Sequence, residues 1–427
     1  MKNENPTSAP RHISSSRTNK TLKLGIVGVG VGGTEILRAI DDMAFIQLVA
    51  GADVVPETLA RFANRYPQAQ TYSDPEKLFA DSSVDAVWIS SPNRFHAQHA
   101  ISAARHGKHI VVEKPMAVSL REAAEMVEAA DQNAVILLAG HTLSYTQPVR
   151  AIRKIIRSGK FGQLRALNIW SYSDWILRPR TSDELDFSQG GGVPYRQAPH
   201  QVDTVRLLGG GLVRSVRAQI GQWLRERPIP GYYAAFMEFE DGTPATIVHN
   251  GYGYFVTNEL VPWGGDRAVY GASQRAAIRE AIRNGHRDEL REKQALRIGG
   301  EEEQGYFGAT ADDWLPGDLG MAIASLDRAD LRHSRSGLYL HDDLGKRELN
   351  LRQDKLSGIS QRRAELEELY DGVIEGKPIS HDGRWGMATL EVCLAIIQSA
   401  QERQEIKLVH QVPIDDRYDE DLRVDGI

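Results

Sequence analysis

An α/β fold in two parts is predicted: a doubly wound parallel sheet in the first third of the chain, then an α+β domain built on a largely antiparallel sheet. Three observations predict it. From Leu22, short apolar runs alternate with helical patterns, and five such runs can be counted. Past the helical pattern AIRKIIRSG the runs lengthen and the regular crossover helices stop. The length of 427 residues also exceeds what one hydrophobic core usually serves, which favours two or three domains.

In order, the first part reads LKLGIVGV, a helix from Ile36 to Met43, IQLVAGAD, and a helix from Pro56. It continues with VDAVWISS, a helix from His96 to His106, HIVVEK, a helix from Leu120 to Ala130, and VILLAGH ending near His141. This gives a doubly wound sheet over residues 21–145, with its ligand crevice at the carboxyl ends of the strands. The second part, residues 146–410, carries the strand-like runs QLRALNIWSYSDW, LVRSVRAQIGQW, YYAAFMEFE and TPATIVHNG. Asp241-Gly242 between the last two is a hairpin signal. Residues 264–310 are dense in charge and helix formers and read as a helical insertion, open to roles as lid, subunit contact or solvated surface. QRRAELEELYDGVIEG and GRWGMATLEVCLAIIQSAQERQ are helical, and the apolar face of the second should dock on a sheet. Residues 1–20 are expected to be a disordered tail and residues 411–427 a second tail.

Composition excludes several classes. A net charge of -6 provides no positive field for phosphate backbones, so nucleic acid is not expected as a partner. The polar first twenty residues lack the apolar core of a secretory signal, and no run approaches the ~18 apolar residues of a membrane span, so a cytoplasmic protein without membrane contact is expected. The single cysteine, Cys393, lies in an apolar helical run and reads as core packing. No metal site is expected, because His99, His106 and His109 follow no recognised ligand spacing.

The sharpest local motif is Gly28-Val29-Gly30-Val31-Gly32-Gly33, which follows a strand and opens a helix. Gly28 allows the tight turn, Gly30 lets the backbone approach a pyrophosphate, and Gly33 permits close helix–strand contact. Together these predict a dinucleotide-binding Rossmann domain. Twenty residues beyond Gly33, Asp53 ends the second strand, where a carboxylate can accept from both ribose hydroxyls; a plain helix cap is its other reading. A carboxylate repels a 2′-phosphate, and no Arg, Lys or Ser directly follows it, which favours NAD over NADP.

Ser91, Pro92 and Asn93 form the loop after VDAVWI, over the nicotinamide side. Asn93 and His96 are placed to contact cofactor or cap a helix, and His96 alone is equally read as structural. Glu113, Lys114 and Pro115 end a strand expected to be buried on both faces, where a charged pair needs a reason. Lys114 pointed into the crevice can bond a substrate hydroxyl and stabilise a developing alkoxide.

Taken together, these motifs resemble the glucose-fructose oxidoreductase, inositol dehydrogenase and MocA family. In that family three glycines are followed by an Asp, a His and a further Asp at spacings of four, four and three. Here Gly190-Gly191-Gly192 is followed by VPYRQAPHQVD, so His200 and Asp203 sit on the motif while Arg196 stands in place of its first Asp. The resemblance implies Lys114 and His200 as the catalytic pair, with His200 a general base because imidazole titrates near neutrality. It implies cofactor contacts at Gly28, Gly30, Gly33, Asp53, Ser91, Pro92, Asn93, His96 and Glu113.

A fixed cation in the carboxylate's place suggests an anionic substrate. Arg178 and Arg180 of WILRPRTSDELD, with Arg196, would form a guanidinium cluster for carboxylates, beside Asp203; the bland alternative is three unrelated surface arginines. With ASLDRADLR, these segments resemble the phthalate 4,5-cis-dihydrodiol dehydrogenase group, implying a small anionic cyclic substrate, NAD and oxidation to a catechol. A sugar or sugar-acid dehydrogenase and a non-catalytic NAD-binding regulator are the alternatives. Family members usually associate through the second sheet, so a homodimer or homotetramer is expected.

Overall fold

The computed structural model describes residues 20–41, 43–140, 142–264, 270–302, 314–317, 319–351 and 361–415. The expected tail before residue 20, stretches of the 264–310 insertion and the chain after residue 415 lie outside the described residues. No helix among the described residues is long and apolar enough to cross a membrane.

The first sheet has six strands, one more than the sequence indicated. They are β1 (Leu22–Val27), β2 (Ile46–Ala52), β3 (Gln70–Tyr72), β4 (Ala86–Ile89), β5 (His109–Glu113) and β6 (Leu137–Gly140). Their order is β3-β2-β1-β4-β5-β6, and every pairing is parallel. β3 was missed because it is three residues long, sits at the edge and has no buried side chain, so apolar periodicity cannot reveal it. The order reverses between β1 and β4, and there the strands' carboxyl ends open a ligand crevice. Central strands are covered on both faces: β4 is wholly buried and β1 exposes only Lys23.

Helices α1 (Val31–Asp41), α2 (Pro56–Arg65), α3 (Pro75–Phe79), α4 (His96–Arg105) and α5 (Leu120–Gln132) make the crossovers. α5 starts where Ser119 caps the amide of Glu122 at 3.2 Å, with the Glu122 carboxylate turned back to the Val118 amide. Its alanine-rich inner face then packs on the sheet.

α6 (Gln147–Arg157), with Pro148 in its first turn, leads into the second sheet. That sheet has nine strands in the order β14-β13-β12-β11-β7-β10-β9-β8-β15. Four were anticipated, namely β7 (Leu164–Tyr172), β8 (Val213–Gly221), β9 (Tyr232–Phe239) and β10 (Pro244–Asn250). β9 and β10 form the expected hairpin around Asp241-Gly242, with Gly242 at φ +84°. The meander β11 (Met321–Leu326), β12 (Ala329–His333), β13 (Gly337–Asp342) and β14 (Gly345–Asn350), and the edge strand β15 (Ile406–Lys407), complete it. All pairings are antiparallel except β7 with β10.

Short α7 (Val193–Arg196), then α8 (Ala198–Leu208), lie over the inner face of this sheet. Its outer face carries apolar side chains among polar ones such as Asn168 and Thr246: Trp170 and Phe236 are 46% and 48% exposed. Met321, Trp170, Val248 and Ala234 stand in register across four adjacent strands.

Two helices late in the chain pack on the first domain. α11 (Gln361–Glu375) lies late in the chain, yet Leu366, Leu369 and Tyr370 are buried in the core of the first sheet. α12 (Gly383–Glu402) is buried nearly all round: Leu390 joins one core of the first domain, while Val392, Cys393 and Ile396 join that of the second. Cys393 is fully buried, and burial pushes its thiol well above the usual range, as expected of a packing residue.

Candidate active site

The glycine loop has the form its sequence required. Gly28 has φ +89°, and a Cβ there would stand 2.8 Å from the Ser90 carbonyl. A Cβ on Gly33 would meet the Gly28 carbonyl oxygen at 2.4 Å, so helix and strand approach as only glycine permits. Nothing lies within 4 Å of a Cβ position on Gly30, which leaves an open cradle at the amino end of α1. A dinucleotide pyrophosphate fits that cradle, where backbone amides and the helix dipole favour an anion. Asp53 braces the loop: its carboxylate accepts from the Val29 amide at 3.0 Å and the Val55 amide at 2.9 Å. It does not cap α2, which begins at Pro56 and whose N-cap residue, Val55, makes no side-chain cap. Burial pushes its carboxyl above the usual range, opposed by the Val55 amide and the charge of Arg297.

His96 holds the loops that follow β4 and β5. Its ring is almost wholly buried, with Nδ1 2.8 Å from the Pro115 carbonyl and Nε2 2.7 Å from the Ser91 carbonyl. Both nitrogens face main chain, so its contribution is positioning, the structural side of the sequence reading. Ser91 Oγ meets His99 Nδ1 at 3.0 Å, and Pro92 precedes a single 3₁₀ turn. Asn93 spans the domains: Nδ2 donates to the Gly190 carbonyl at 3.1 Å, and Oδ1 accepts from Arg196 at 3.4 Å.

Glu113 corrects an expectation. Its carboxylate lies 2.7 Å from Arg362 of α11, buried together with Glu365 and near Glu35 of α1. The charge at this strand end is therefore engaged between sheet and helix. Among these groups burial raises the Glu365 carboxyl to about 8, against the pull of Arg362.

Lys114 reaches across to the second domain, where Nζ donates to the Arg196 carbonyl at 2.9 Å. Arg196 ends α7, four residues before His200 in the first turn of α8, so the lysine is bonded to the short segment that carries the histidine. His200 is 8% exposed.

Asp203, predicted to contact substrate, does not reach the crevice. Every residue of α8 is buried, and three positions past His200 the carboxylate turns inward to accept from the Trp385 indole at 2.6 Å. Behind it, His381 Nε2 stands 3.9 Å away, and His381 Nδ1 lies 2.9 Å from Glu368.

The cationic cluster exists with one member exchanged. Arg180 and Arg196 converge on Glu184, at 3.5 and 3.2 Å. Arg178 instead pairs with buried Asp174 at 3.3 Å. The residue before Pro179 is forced toward polyproline geometry, φ -65° and ψ 148°, and three residues per turn send positions 178 and 180 apart. The third cation is Lys293 of α10 (Glu289–Ala295), which follows α9 (Ala272–Arg283) in the insertion, and its Nζ donates to Glu184 at 2.7 and 2.9 Å. Arg180 also lies 3.8 Å above the Trp175 ring.

Burial alone would raise the Glu184 carboxyl, but Arg196, Lys293 and Arg180 outweigh it and hold it far below the usual range. Burial, with Arg180 and Arg196, pushes Lys293 down to about 8 against the pull of Glu184. Neither Glu184 nor Lys293 was singled out from sequence. Glu184 lay within a quoted segment, while Lys293 is brought to it by folding alone.

A six-stranded doubly wound sheet with an open glycine cradle, and a strand-end lysine bonded to the segment that carries His200, define a dinucleotide-dependent oxidoreductase. The comparisons agree. Residues 22–141 match the model described as "Oxidoreductase family, NAD-binding Rossmann fold", and residues 149–255 match the GFO/IDH/MocA C-terminal domain. The chain is 29% identical over 390 residues to the 1-carboxy-3-chloro-3,4-dihydroxycyclohexa-1,5-diene dehydrogenase of Comamonas testosteroni, 89% of this chain and 95% of that one. It is 22% identical over 405 residues to the scyllo-inositol 2-dehydrogenase (NADP(+)) of Bacillus subtilis, covering 93% and 99%. A solved protein from Bordetella bronchiseptica RB50, described as a dehydrogenase, superposes with a TM-score of 0.82 at 32% identity, covering 91% of this chain and all of that one. The chain belongs to the GFO/IDH/MocA oxidoreductase family. Its first domain is an NAD-binding Rossmann fold.

Proposed function

We propose that the chain oxidises a secondary alcohol on a carboxylated cyclic substrate, a phthalate-type cis-4,5-dihydrodiol going to the catechol. One observation carries this reading. Arg180, Arg196 and Lys293 converge on the single carboxylate of Glu184, so these four side chains sum to +2 next to the Lys114 contact. A dicarboxylate matches that charge, and the guanidinium forks suit carboxylate oxygens. The Comamonas relative, named for a ring with one carboxyl and two hydroxyls, supports the same class.

NAD, when bound, supplies the hydride acceptor. Gly28, Gly30 and Gly33 would hold its pyrophosphate, with Asp53 at the adenosine ribose and the Ser91–Asn93 loop toward the nicotinamide. Lys114 donates to the substrate hydroxyl and steadies the oxygen as its C–H bond breaks. His200 takes the hydroxyl proton, leaving a ketone. Loss of the ring proton next to that ketone, with protonation of its oxygen, completes the catechol. The cationic cluster anchors the ring carboxylates and thereby fixes which carbon faces the acceptor.

Steady-state NADH formation tests the reading against its rivals. Phthalate cis-4,5-dihydrodiol should turn over with kcat/KM well above aldonic acids, inositols and uncarboxylated dihydrodiols. Turnover of a sugar or sugar acid with none of the dihydrodiol would assign the sugar reading instead. NAD binding with no turnover of either class would leave a regulatory protein.

A further inference from the structure

The charged insertion bridges the two domains. On α10, Glu289 and Lys293 lie four residues apart on one face, and both engage the loop around Glu184. Glu289 accepts from the Arg180 amide at 2.7 Å and from Arg227 at 2.9 Å, while Lys293 holds Glu184 itself. Four residues further on, Arg297 reaches the other domain and donates to Thr58 Oγ1, 3.2 Å away in the first turn of α2. The next residue, Ile298, is fully buried in the core of the parallel sheet. Gly299, at φ +65°, then lies against the Arg61 side chain.

This places a half-buried guanidinium at the carboxyl end of β2, on the side of the crevice where Asp53 stands. Its charge is felt there, pulling the Asp53 carboxyl downward. Both Asp53 oxygens already accept backbone amides, so the carboxylate is fixed in place. A carboxylate alone repels a 2′-phosphate. A guanidinium held on the first turn of α2, next after β2, offsets the repulsion and offers a planar donor fork to phosphate oxygens.

We propose that Arg297 belongs to the adenosine-ribose site and receives the 2′-phosphate of NADP(H), so that the chain binds NADP(H) as well as NAD(H). Ile298 anchors the segment and Thr58 orients the guanidinium. This rests on the chain binding a nicotinamide dinucleotide.

Titration calorimetry with NAD+ and NADP+ on the full chain tests it, using R297A, R297Q and R297K, with circular dichroism to confirm folding. The wild type should bind both. R297A and R297Q should weaken NADP+ by about tenfold or more, roughly 1.4 kcal/mol, while NAD+ changes by less than about threefold. R297K should keep most of the NADP+ affinity, and rising salt should reduce it further than that of NAD+. Equal loss for both dinucleotides, no loss for either, or a wild type that binds NAD+ and not NADP+ would each overturn the proposal. A wild type that binds neither would overturn the dinucleotide reading beneath it.

Discussion

Lys114 Nζ donates to the main-chain oxygen of Arg196 at 2.9 Å, and this one bond joins the end of β5 to α7 of the other domain. A lysine so placed is fixed by the second domain while standing at the crevice of the first. Replacing it by alanine should lower kcat by about 10²–10⁴-fold, the usual range for a lost proton-handling group, with NAD+ affinity little changed. Single-turnover kinetics and a dinucleotide titration check both halves, and undiminished hydride transfer in K114A would remove Lys114 from the chemistry.

Lys293 should write a pH dependence into substrate affinity. With its ammonium pushed down to about 8, the cluster around Glu184 sums to +2 below that pH and +1 above it. KM for a dicarboxylate should therefore rise by about tenfold as pH passes through 8, the loss of one near charge. In K293M the KM should start higher and lose that step. A KM profile across pH 6.5–9.5 decides, and an identical step in K293M would assign the titration elsewhere.

The buried pair of Glu368 and His381 should shape stability against pH. The Glu368 carboxylate accepts from the Ser380 and His381 amides, the Tyr145 hydroxyl and the His381 ring. Burial would raise it, but His381 and the Tyr145 hydroxyl together outweigh burial and bring it from 4.5 to about 2. Its contribution, about 3 kcal/mol, is full above pH 4.5 and lost as pH falls toward 2. His381 is raised above 6.5, because Glu368 with Asp203 and Glu365 together outweigh its burial, so its contribution is full below pH 6.5 and fades as pH climbs through the higher folded value. Thermal melts should peak between these limits and fall on both sides, and E368Q should flatten both limbs. A flat wild-type profile would contradict the assignment.

The outer face of the second sheet should join copies of the chain. Met321, Trp170, Val248 and Ala234 form an apolar row across four strands, and Trp170 is 46% exposed. We propose this row as the self-association surface. Light scattering should find a dimer or tetramer in the wild type and a monomer in W170E. A monomeric wild type would refute this interface.

Features carried by local spacing were readable in the sequence. The strand–glycine–helix motif, the Asp241-Gly242 hairpin and the lysine at the end of β5 each depend on neighbours within a few residues. What escaped depends on distant partners. Asp203 looked available beside His200, but α8 is enclosed on every side and its carboxylate meets Trp385, 182 residues away. Arg178 and Arg180 looked equivalent, and Pro179 between them turned one toward Asp174 and the other toward Glu184. Glu113 looked like a ligand group and proved to be paired with Arg362 from α11. The meander β11–β14 lacks the long apolar alternation that marked β7 to β10, and its last strand buries only Leu349.

α12 contributes Leu390 to one core, and Val392, Cys393 and Ile396 to the other. Removing it would strip apolar cover from both layers at once, so neither half should fold without it. The molecule should consequently denature in a single cooperative transition, and a fragment ending before residue 383 would lack the piece that completes even the nucleotide half.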